Sequence, residues 1–352
     1  MRLDETAVAS VSRATNNVLE VRDLVVHFAG RGSRRRRSNV KAVDGVSFDI
    51  APGEILALVG ESGCGKSTIA LSVMRLLVPK SGQIISGGED LATLRGRALR
   101  RARRRIQMIF QDPFGSLNPR QSVYDTVVEP LVIHHIGANA IERRARVFEA
   151  LDLAHLRPPE RLATNYPHEL SGGQRQRVAI ASAMVLGPEL VIADEPVSML
   201  DVSARAGILR LMMDLRDRLG TSYLLITHDL AVAWVVADRI AVLYLGRIVE
   251  IGEAEELVVH PAHPYTAALL SVSGGDDHVL DDDATRDVLP GETPSAANVP
   301  PGCRFHPRCP RYVELGQPES CRTEDPVLRV VRAGASRVEH TAACHFATEE
   351  NP

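Results

Sequence analysis

Residues 60–68, GESGCGKST, place glycines, a lysine and hydroxyl side chains at a spacing that suits phosphate binding. The segment matches G-x-x-x-x-G-K-[ST], follows the apolar run ILALV and leads into the helix-like run IALSVMRLL. In such a loop, backbone N–H groups surround a phosphate, Lys66 brings a positive charge to the β and γ oxygens, and Ser67 offers its hydroxyl to Mg²⁺. We therefore expect a nucleoside triphosphate to contact Gly60, Glu61, Ser62, Gly63, Cys64, Gly65, Lys66, Ser67 and Thr68.

Two carboxylates end a second apolar run, LVIADE, at residues 190–195. An acidic strand end beside a helix start also has a purely structural explanation, but a phosphate-binding loop in the same chain favours a catalytic one. Asp194 is then placed to hold Mg²⁺ through water, and Glu195 to orient and deprotonate the water that attacks the γ-phosphate. His228 follows the strand-like run YLLIT. Because parallel sheets bind ligands at that end of their strands, we expect His228 to contact the γ-phosphate.

A parallel sheet is needed to bring these side chains together, and the sequence predicts one. Strand-like and helix-like runs alternate through helix 174–187, strand 189–193, helix 203–218, strand 222–226 and helix 229–236. This alternation is typical of a parallel sheet wrapped by helices. Residues 120–165 are mostly helical in pattern.

The order of six motifs resembles that of the ATPase subunits of ATP-binding-cassette (ABC) transporters. The phosphate loop is followed by Gln111 after a strand, then by LSGGQRQRV, LVIADEP, SMLD and ITHD, and the resemblance spans residues 20 to about 255. It implies an α/β P-loop NTPase fold of ABC type, with a mixed-sheet core and a helical subdomain, that hydrolyses ATP. The catalytic residues implied are Glu195, His228, Gln111 and Lys66. The ligands implied for Mg²⁺ are Ser67, Gln111 and Asp194.

The resemblance also implies residues that act between two ATPase domains, which in this family meet head to tail. The loop expected to contact the γ-phosphate of the ATP held by the partner consists of Ser171, Gly172, Gly173 and Gln174. Asp201 matches the Asp of the loop that links the two ATP sites, although Met199 stands where the family usually has Ala. Phe28 matches the aromatic residue that stacks on adenine, with a simple core position as the alternative.

Further segments imply the transported solute and the partners. GESGCGKST, FQDPFGSLNPRQSV, YPHELSGGQRQRVAIA and HPAHPYTAALL resemble the subgroup that powers dipeptide and oligopeptide import, and in particular the second of its two paired ATPases. The partners implied are two transmembrane permease subunits, a second ABC ATPase subunit and an extracytoplasmic substrate-binding protein. A heterodimer of ATPases is favoured, with a homodimer as the alternative. Related members move nickel, glutathione or sugars, so another small solute remains an alternative to peptides.

Four of the five cysteines lie in the last fifty residues: Cys303, Cys309, Cys321 and Cys344. Their spacing, C-x5-C-x11-C-x22-C, is neither that of a zinc ribbon nor that of a bacterial ferredoxin. In a reducing compartment such a cluster favours a metal over disulfides, and this segment has too few apolar residues to build a core alone. Four thiolates suit a [4Fe–4S] cluster or Zn²⁺, and resemblance to the C-terminal extension of the family favours the cluster. Unrelated reduced thiols and a redox switch are the alternatives.

Composition limits the other function classes. A net charge of −3 gives no general reason to expect a nucleic-acid partner, and Gly and Ser interrupt the Arg-rich segment 31–37, which favours a solvated loop. No apolar run approaches the roughly 18 residues that span a bilayer, so we expect a peripheral protein on the cytoplasmic face of the cell membrane. Soluble cassette ATPases that act on DNA or ribosomes usually have two cassettes or long coiled-coil insertions, and exporters commonly fuse the ATPase to membrane helices. This sequence contains none of these features.

The sequence divides into four expected segments. A flexible tail at 1–17 precedes an ABC ATPase domain at 18–256, whose helical subdomain covers about 112–180. A linker at 257–290 contains the HPYT segment. The Cys-rich domain, stapled by metal, covers 291–352.

Overall fold

The computed structural model of the chain describes residues 17–29, 39–273, 291–332 and 339–347. The Arg-rich segment 31–37 therefore lies outside the described residues. So do almost all of the expected N-terminal tail and the expected linker beyond residue 273.

The strands are bounded as follows: β1 Leu19–Ala29, β2 Asn39–Ile50, β3 Ile55–Val59, β4 Ser81–Ser86, β5 Glu89–Asp90, β6 Ile106–Ile109, β7 Leu190–Asp194, β8 Ser222–Thr227, β9 Arg239–Tyr244, β10 Arg247–Glu253, β11 Arg329–Arg332 and β12 His340–Ala342. The α-helices are α1 Lys66–Val73, α2 Gly96–Arg105, α3 Pro113–Ser116, α4 Val123–Ile133, α5 Ala140–Leu153, α6 Pro159–Leu162, α7 Gly172–Met184, α8 Val202–Leu219, α9 Leu230–Val236, α10 Ala254–Val259, α11 Pro264–Ser273, α12 Pro310–Glu314 and α13 Ser320–Thr323. Short 3₁₀ turns cover Pro167–Glu169 and His306–Arg308.

The larger sheet positions the chemistry. In the described part of the chain its strand order is β11-β12-β10-β9-β3-β8-β7-β6. Strands β9, β3, β8, β7 and β6 are parallel, whereas β10, β12 and β11 pair antiparallel. Every residue of β3, β7 and β8 is buried, as expected for continuous apolar runs in a sheet covered on both faces. The mixed α/β fold predicted from the sequence is thus confirmed, and the carboxyl ends of β3, β7 and β8 lie side by side.

A second sheet, with strand order β2-β1-β4-β5, is antiparallel. Its buried side chains, among them Val21, Leu24 and Ile84, form one apolar core with Leu56 and Leu58 of β3. This packing fixes β1, with Phe28 near its end, against the sheet that holds the phosphate loop.

Helices α4 and α5 pack against α7. The apolar residues Val123, Val127 and Leu131 recur on one face of α4 and are fully or almost fully buried there. At the start of α4, the Ser122 hydroxyl accepts from the N–H of Asp125 and stabilises the first turn. None of the helices in the described residues combines the length and apolar composition that spanning a bilayer requires.

The C-terminal segment packs directly on the ATPase core. Strand β12 pairs with β10, so β12 and β11 extend the larger sheet. Helix α11 lies in the expected linker, and its Tyr265 is fully buried. The Phe305 ring, 1% exposed, belongs to the same apolar core as β3 and β9. The segment therefore obtains its core from the rest of the molecule.

Candidate nucleotide site

Residues 60–65 form a tight loop between β3 and α1 that only glycine permits at two positions. A Cβ atom on Gly60 would collide with the carbonyl oxygen of Leu243, and one on Gly65 with that of Ala42. Gly65 also has a φ of 114°, in the region that L-residues avoid. Since neighbouring strands press on the loop, its shape is set before any nucleotide binds.

Lys66 is folded over this loop. Its Nζ donates to the carbonyl oxygens of Gly60 at 2.6 Å and Glu61 at 3.0 Å, and the side chain is 5% exposed. The Cys64 Sγ lies 3.8 Å from the same Nζ. Burial raises the pKa of the Cys64 thiol, so Cys64 is a small neutral residue inside the loop. The positive charge of Lys66 is thus held where phosphates would approach.

Ser67 and Asp194 meet at the end of β7. The Ser67 Oγ donates to Asp194 Oδ1 at 3.2 Å. Burial, with a smaller effect from the neighbouring Glu195 carboxylate, raises the pKa of Asp194. A desolvated carboxylate beside a hydroxyl is a donor set of hard oxygens, which suits Mg²⁺. The residues present therefore fit the metal that the sequence predicts.

Glu195 is held between two of the other predicted residues. The Gln111 Nε2 donates to Glu195 Oε2 at 2.8 Å, and the His228 Nδ1 lies 3.2 Å from Glu195 Oε1. The backbone of Glu195 has a φ of 46° and its N–H donates to the Ile226 carbonyl at 2.9 Å, which fixes a conformation that is uncommon for a non-glycine residue. The structure therefore brings Gln111, Glu195 and His228 together from the ends of β6, β7 and β8.

The segment Ser171–Gln174 begins α7. The Ser171 hydroxyl accepts from the N–H of Gln174, and the Gln174 side chain accepts from the N–H of Ser171 at 2.9 Å. These bonds lie within the first turn of the helix, and Ser171 is exposed. Gly172 and Gly173 are partly exposed and have no side chains that would block an anion from approaching their own N–H groups.

The remaining predicted residues lie around these groups. Phe28 is 39% exposed on β1, so its side chain is partly accessible. Asp201 is the N-cap of α8 and accepts from the N–H of Ala204 at 2.8 Å. Met199, 58% exposed, projects from the loop before it.

Sequence reasoning missed residues that contact the phosphate loop from the C-terminal segment. Tyr265, Thr293 and Arg308 all contact Glu61. The HPYT segment, residues 263–266, stands out in the sequence, but nothing in it indicates that Tyr265 contacts Glu61. No local spacing relates residue 308 to residue 61.

The metal-stapled domain predicted for the C-terminal segment is not supported. The four cysteines do converge, because Cys303, Cys309, Cys321 and Cys344 line one cavity. Across the described ranges, however, no group of three or more His, Cys, Asp or Glu side chains is placed to hold a metal ion. Burial raises the pKa of Cys303 to about 12 and that of Cys309 to about 11, so both are neutral thiols as they stand. The physical reason for the difference is that Phe305 and β12 already anchor the segment to the main core.

Comparison with protein-family models gives two matches. Residues 43–198 match the family described as ABC transporter. Residues 249–314 match the family described as oligopeptide/dipeptide transporter, C-terminal region. The first range contains the phosphate loop, Gln111 and Glu195, and the second contains α11 and Arg308.

Individual relatives extend over nearly the whole chain. A Brucella ovis protein with the provisional name peptide import ATP-binding protein is 48% identical over 93% of this chain and 97% of its own length. The oligopeptide transport ATP-binding protein AppF of Bacillus subtilis is 44% identical over 94% of this chain and 97% of its own. A solved dimeric structure, the post-hydrolysis state of the ATP-binding cassette MJ0796 bound to ADP and Pi, is 31% identical, with a TM-score of 0.60. It covers 67% of this chain and 98% of that one.

Proposed function

The chain belongs to the ABC transporter family, and from that premise we propose that it is the ATP-hydrolysing subunit of an importer of dipeptides and oligopeptides. The observation that supports the ATPase chemistry is the Gln111–Glu195–His228 cluster. Its residues follow β6, β7 and β8, and β8 pairs directly with β3, the strand that leads into the phosphate loop. The observation that supports peptides is the C-terminal match, together with two relatives named for peptide transport. Nickel, glutathione or another small solute remains the alternative cargo.

Hydrolysis by this site is mainly a matter of position and charge. Glu195 accepts the proton of the attacking water, and its two carboxylate oxygens are oriented by Gln111 and His228. Lys66 and the loop N–H groups neutralise the charge on the phosphates. Ser67, Asp194 and Gln111 would hold Mg²⁺, which supplies further charge neutralisation when bound. Phe28 would stack on the adenine.

A complete site needs a second ATPase subunit. The dimeric structure of MJ0796 supports a pair of such domains, and the outward-facing turn at Ser171–Gln174 in this chain suits a phosphate presented by another molecule. We expect these residues to close over the ATP of the partner, with Asp201 in the loop that joins the two sites. A heterodimer with the second ATPase of the system is the arrangement we favour.

The chain is expected to act peripherally, at the cytoplasmic face of the cell membrane. Phe110, adjacent to Gln111, is 46% exposed, and Tyr166, five residues before Ser171, is 42% exposed. Aromatic residues are enriched at protein interfaces, so these two exposed side chains near predicted nucleotide-site residues would suit contact with the permease subunits. The system would comprise two permeases, both ATPases and an extracytoplasmic binding protein that selects the peptide.

Purification from native membranes in mild detergent tests this assignment. Two multi-span permeases, a second ATPase and a secreted binding protein should copurify, and peptide-loaded binding protein should stimulate ATP hydrolysis by the complex. Recovery of the chain alone in the soluble fraction, or with nucleic acid, would overturn the transport assignment. Stimulation by nickel or glutathione in place of peptides would overturn the substrate.

We propose that the cavity lined by the four cysteines binds a [4Fe–4S] cluster, with Zn²⁺ as the alternative. It is supported by the convergence of four thiols on one cavity, and binding would require them to lose protons and move together. Anaerobic purification followed by iron, sulfide and zinc analysis tests it. About four irons and four sulfides per chain would support the cluster, and the absence of bound metal would exclude both.

A further inference from the structure

Glu61, the second residue of the phosphate loop, forms hydrogen bonds with side chains from the C-terminal segment. The Arg308 Nη1 donates to both carboxylate oxygens of Glu61, at 3.0 and 3.2 Å. The hydroxyl of Thr293 donates to the same carboxylate. The backbone N–H of Glu61 donates to the Tyr265 hydroxyl at 3.0 Å. Both the side chain and the N–H of one loop residue are therefore fixed from outside the ATPase core.

Two of the partners, Arg308 and Tyr265, are shielded from water, whereas the Glu61 side chain is 23% exposed and Thr293 is exposed. Arg308 is 7% exposed and Tyr265 is fully buried. The Phe305 ring, three residues before Arg308, packs 5.4 Å from the Tyr265 ring and 5.3 Å from that of Tyr244 at the end of β9. Because competing water weakens ion pairs and hydrogen bonds, the burial of Arg308 and Tyr265 helps their contacts with Glu61 to keep their geometry.

Glu61 also contacts Lys66, the residue expected to meet the phosphates. The carbonyl oxygen of Glu61 accepts from Lys66 Nζ at 3.0 Å. Glu61 thus joins Arg308 on one side to Lys66 on the other. A shift of Glu61 would move the N–H groups of the loop and one of the two carbonyl oxygens that hold Lys66 in place.

Charge gives Arg308 a second effect. The Glu61 carboxylate lies in the loop that must accept a polyphosphate anion, and the two negative charges repel each other. The Arg308 guanidinium compensates this carboxylate through two charge-assisted hydrogen bonds. Without Arg308, Glu61 would be both less well positioned and an uncompensated negative charge beside the ligand.

Arg304, four residues before Arg308, contacts the side of the site where adenine is expected. Arg304 donates to Asp44 and to the carbonyl oxygen of Leu245. The Asp44 carboxylate lies 3.1 Å from Nε2 of His27, the neighbour of Phe28. The segment from Arg304 to Arg308 is therefore anchored at both ends, through Asp44 on the expected adenine side and through Glu61 on the phosphate side. This double attachment limits how far Arg308 can move.

We propose that Arg308, supported by Tyr265, is a positioning residue for ATP binding that holds and neutralises Glu61 of the phosphate loop. The proposal rests on the ATP site described above. It places part of the determinants of nucleotide affinity in the C-terminal segment, at Arg308, 247 residues after Glu61 in the sequence.

Charge and position predict an unusual pattern in a double-mutant cycle. Arg308→Gln leaves the Glu61 carboxylate uncompensated and should weaken ATP binding about tenfold, the scale of a hydrogen bond to a charged group. Glu61→Gln removes that charge, so the double variant should bind ATP more tightly than Arg308→Gln alone. Arg308→Lys keeps the charge and should retain most of the affinity. Arg322→Gln, an exposed Arg in the same segment, is the matched control and should bind as the wild type does.

The experiment measures equilibrium ATP binding by each full-length variant and the KM and kcat of hydrolysis by the transporter complex that contains it. Thermal unfolding without nucleotide is the folding control. A positioning role raises KM in Arg308→Gln, whereas a merely structural role reduces the active fraction and leaves KM unchanged. Unchanged ATP affinity in Arg308→Gln, or losses that simply add in the double variant, would overturn the proposal. Lys66→Ala tests the site itself, since wild-type ATP binding by that variant would overturn the ATP site and not the Arg308 contact.

Discussion

His263 should make the stability of the chain depend on pH. Its ring is 2% exposed, its Nδ1 accepts from the backbone N–H of Tyr265 at 3.0 Å, and Phe305 packs 5.7 Å away. Burial lowers the pKa of His263 from 6.5 to about 4, and the nearby Glu250 carboxylate only partly opposes this. Other titratable groups near His263 include His340, 2.7 Å from Glu250, and the Cys303 thiol, which lines the same cavity. The folded chain therefore keeps His263 neutral at pH values where the unfolded chain protonates it.

The sign and size of the effect follow from proton linkage. Between pH 6.5 and pH 4 the unfolded state binds a proton that the folded state does not, so the free energy of unfolding falls as the pH falls. A pKa difference of this size corresponds to about 3 kcal/mol in full, of which about 2 kcal/mol is already lost at pH 5. The loss is complete only below the folded-state pKa.

Urea unfolding at pH 7.5, 6 and 5 measures this contribution when the wild type is compared with His263→Asn. Asn does not titrate and can still accept from the Tyr265 N–H, although it loses the packing against Phe305. The variant should be less stable at pH 7.5, and the gap between the two proteins should shrink by about 2 kcal/mol at pH 5. His155→Asn, at an exposed position whose positive φ suits Asn, is the control and should not alter the pH dependence. A gap between wild type and His263→Asn that stays constant from pH 7.5 to 5 would refute the reasoning.

Three further substitutions test the site and its support. Glu195→Gln should keep ATP bound but slow phosphate release at least about 100-fold, and hydrolysis near the wild-type rate would exclude Glu195 as the base. Lys66→Ala should weaken ATP binding itself, which calorimetry measures, and a loss of kcat at unchanged affinity would contradict the placement of Lys66 over the loop. Phe305→Ala should lower the free energy of unfolding by about 3–5 kcal/mol, and a cost below about 1 kcal/mol in urea unfolding would show that Phe305 does not anchor the C-terminal segment.

The grouping of the candidate nucleotide-site residues could be predicted from the sequence because its signals are local. The phosphate loop is nine consecutive residues, and Asp194 and Glu195 end an apolar run long enough to identify a buried strand. The helix expected at 203–218 is observed at Val202–Leu219, and the strand expected at 222–226 at Ser222–Thr227. Given a parallel sheet, these strand ends had to lie together.

The C-terminal segment could not be predicted in the same way because its stability is not local. Its composition suggested that it needs a metal to hold it together, since few of its own residues are apolar. In the structure, Phe305 enters a core built by other parts of the chain, and Arg308 finds its partner at Glu61. A single sequence contains no periodicity that reveals which distant core a short segment will join.

The pairing of β12 with β10 determines how this chain can be cut and recombined. A cassette ended after residue 256 would expose the backbone of β10 along the edge that β12 covers, and bare strand edges recruit other strands and promote aggregation. Such a cut would also remove the hydrogen-bond partners of the fully buried Glu250 carboxylate, which are the His340 ring and the N–H groups of Ala262 and His263. Chimeras that exchange ATPase modules between importers should therefore carry the chain through residue 347, because an exchange at residue 256 would leave the β10 edge exposed and prone to pairing with other chains.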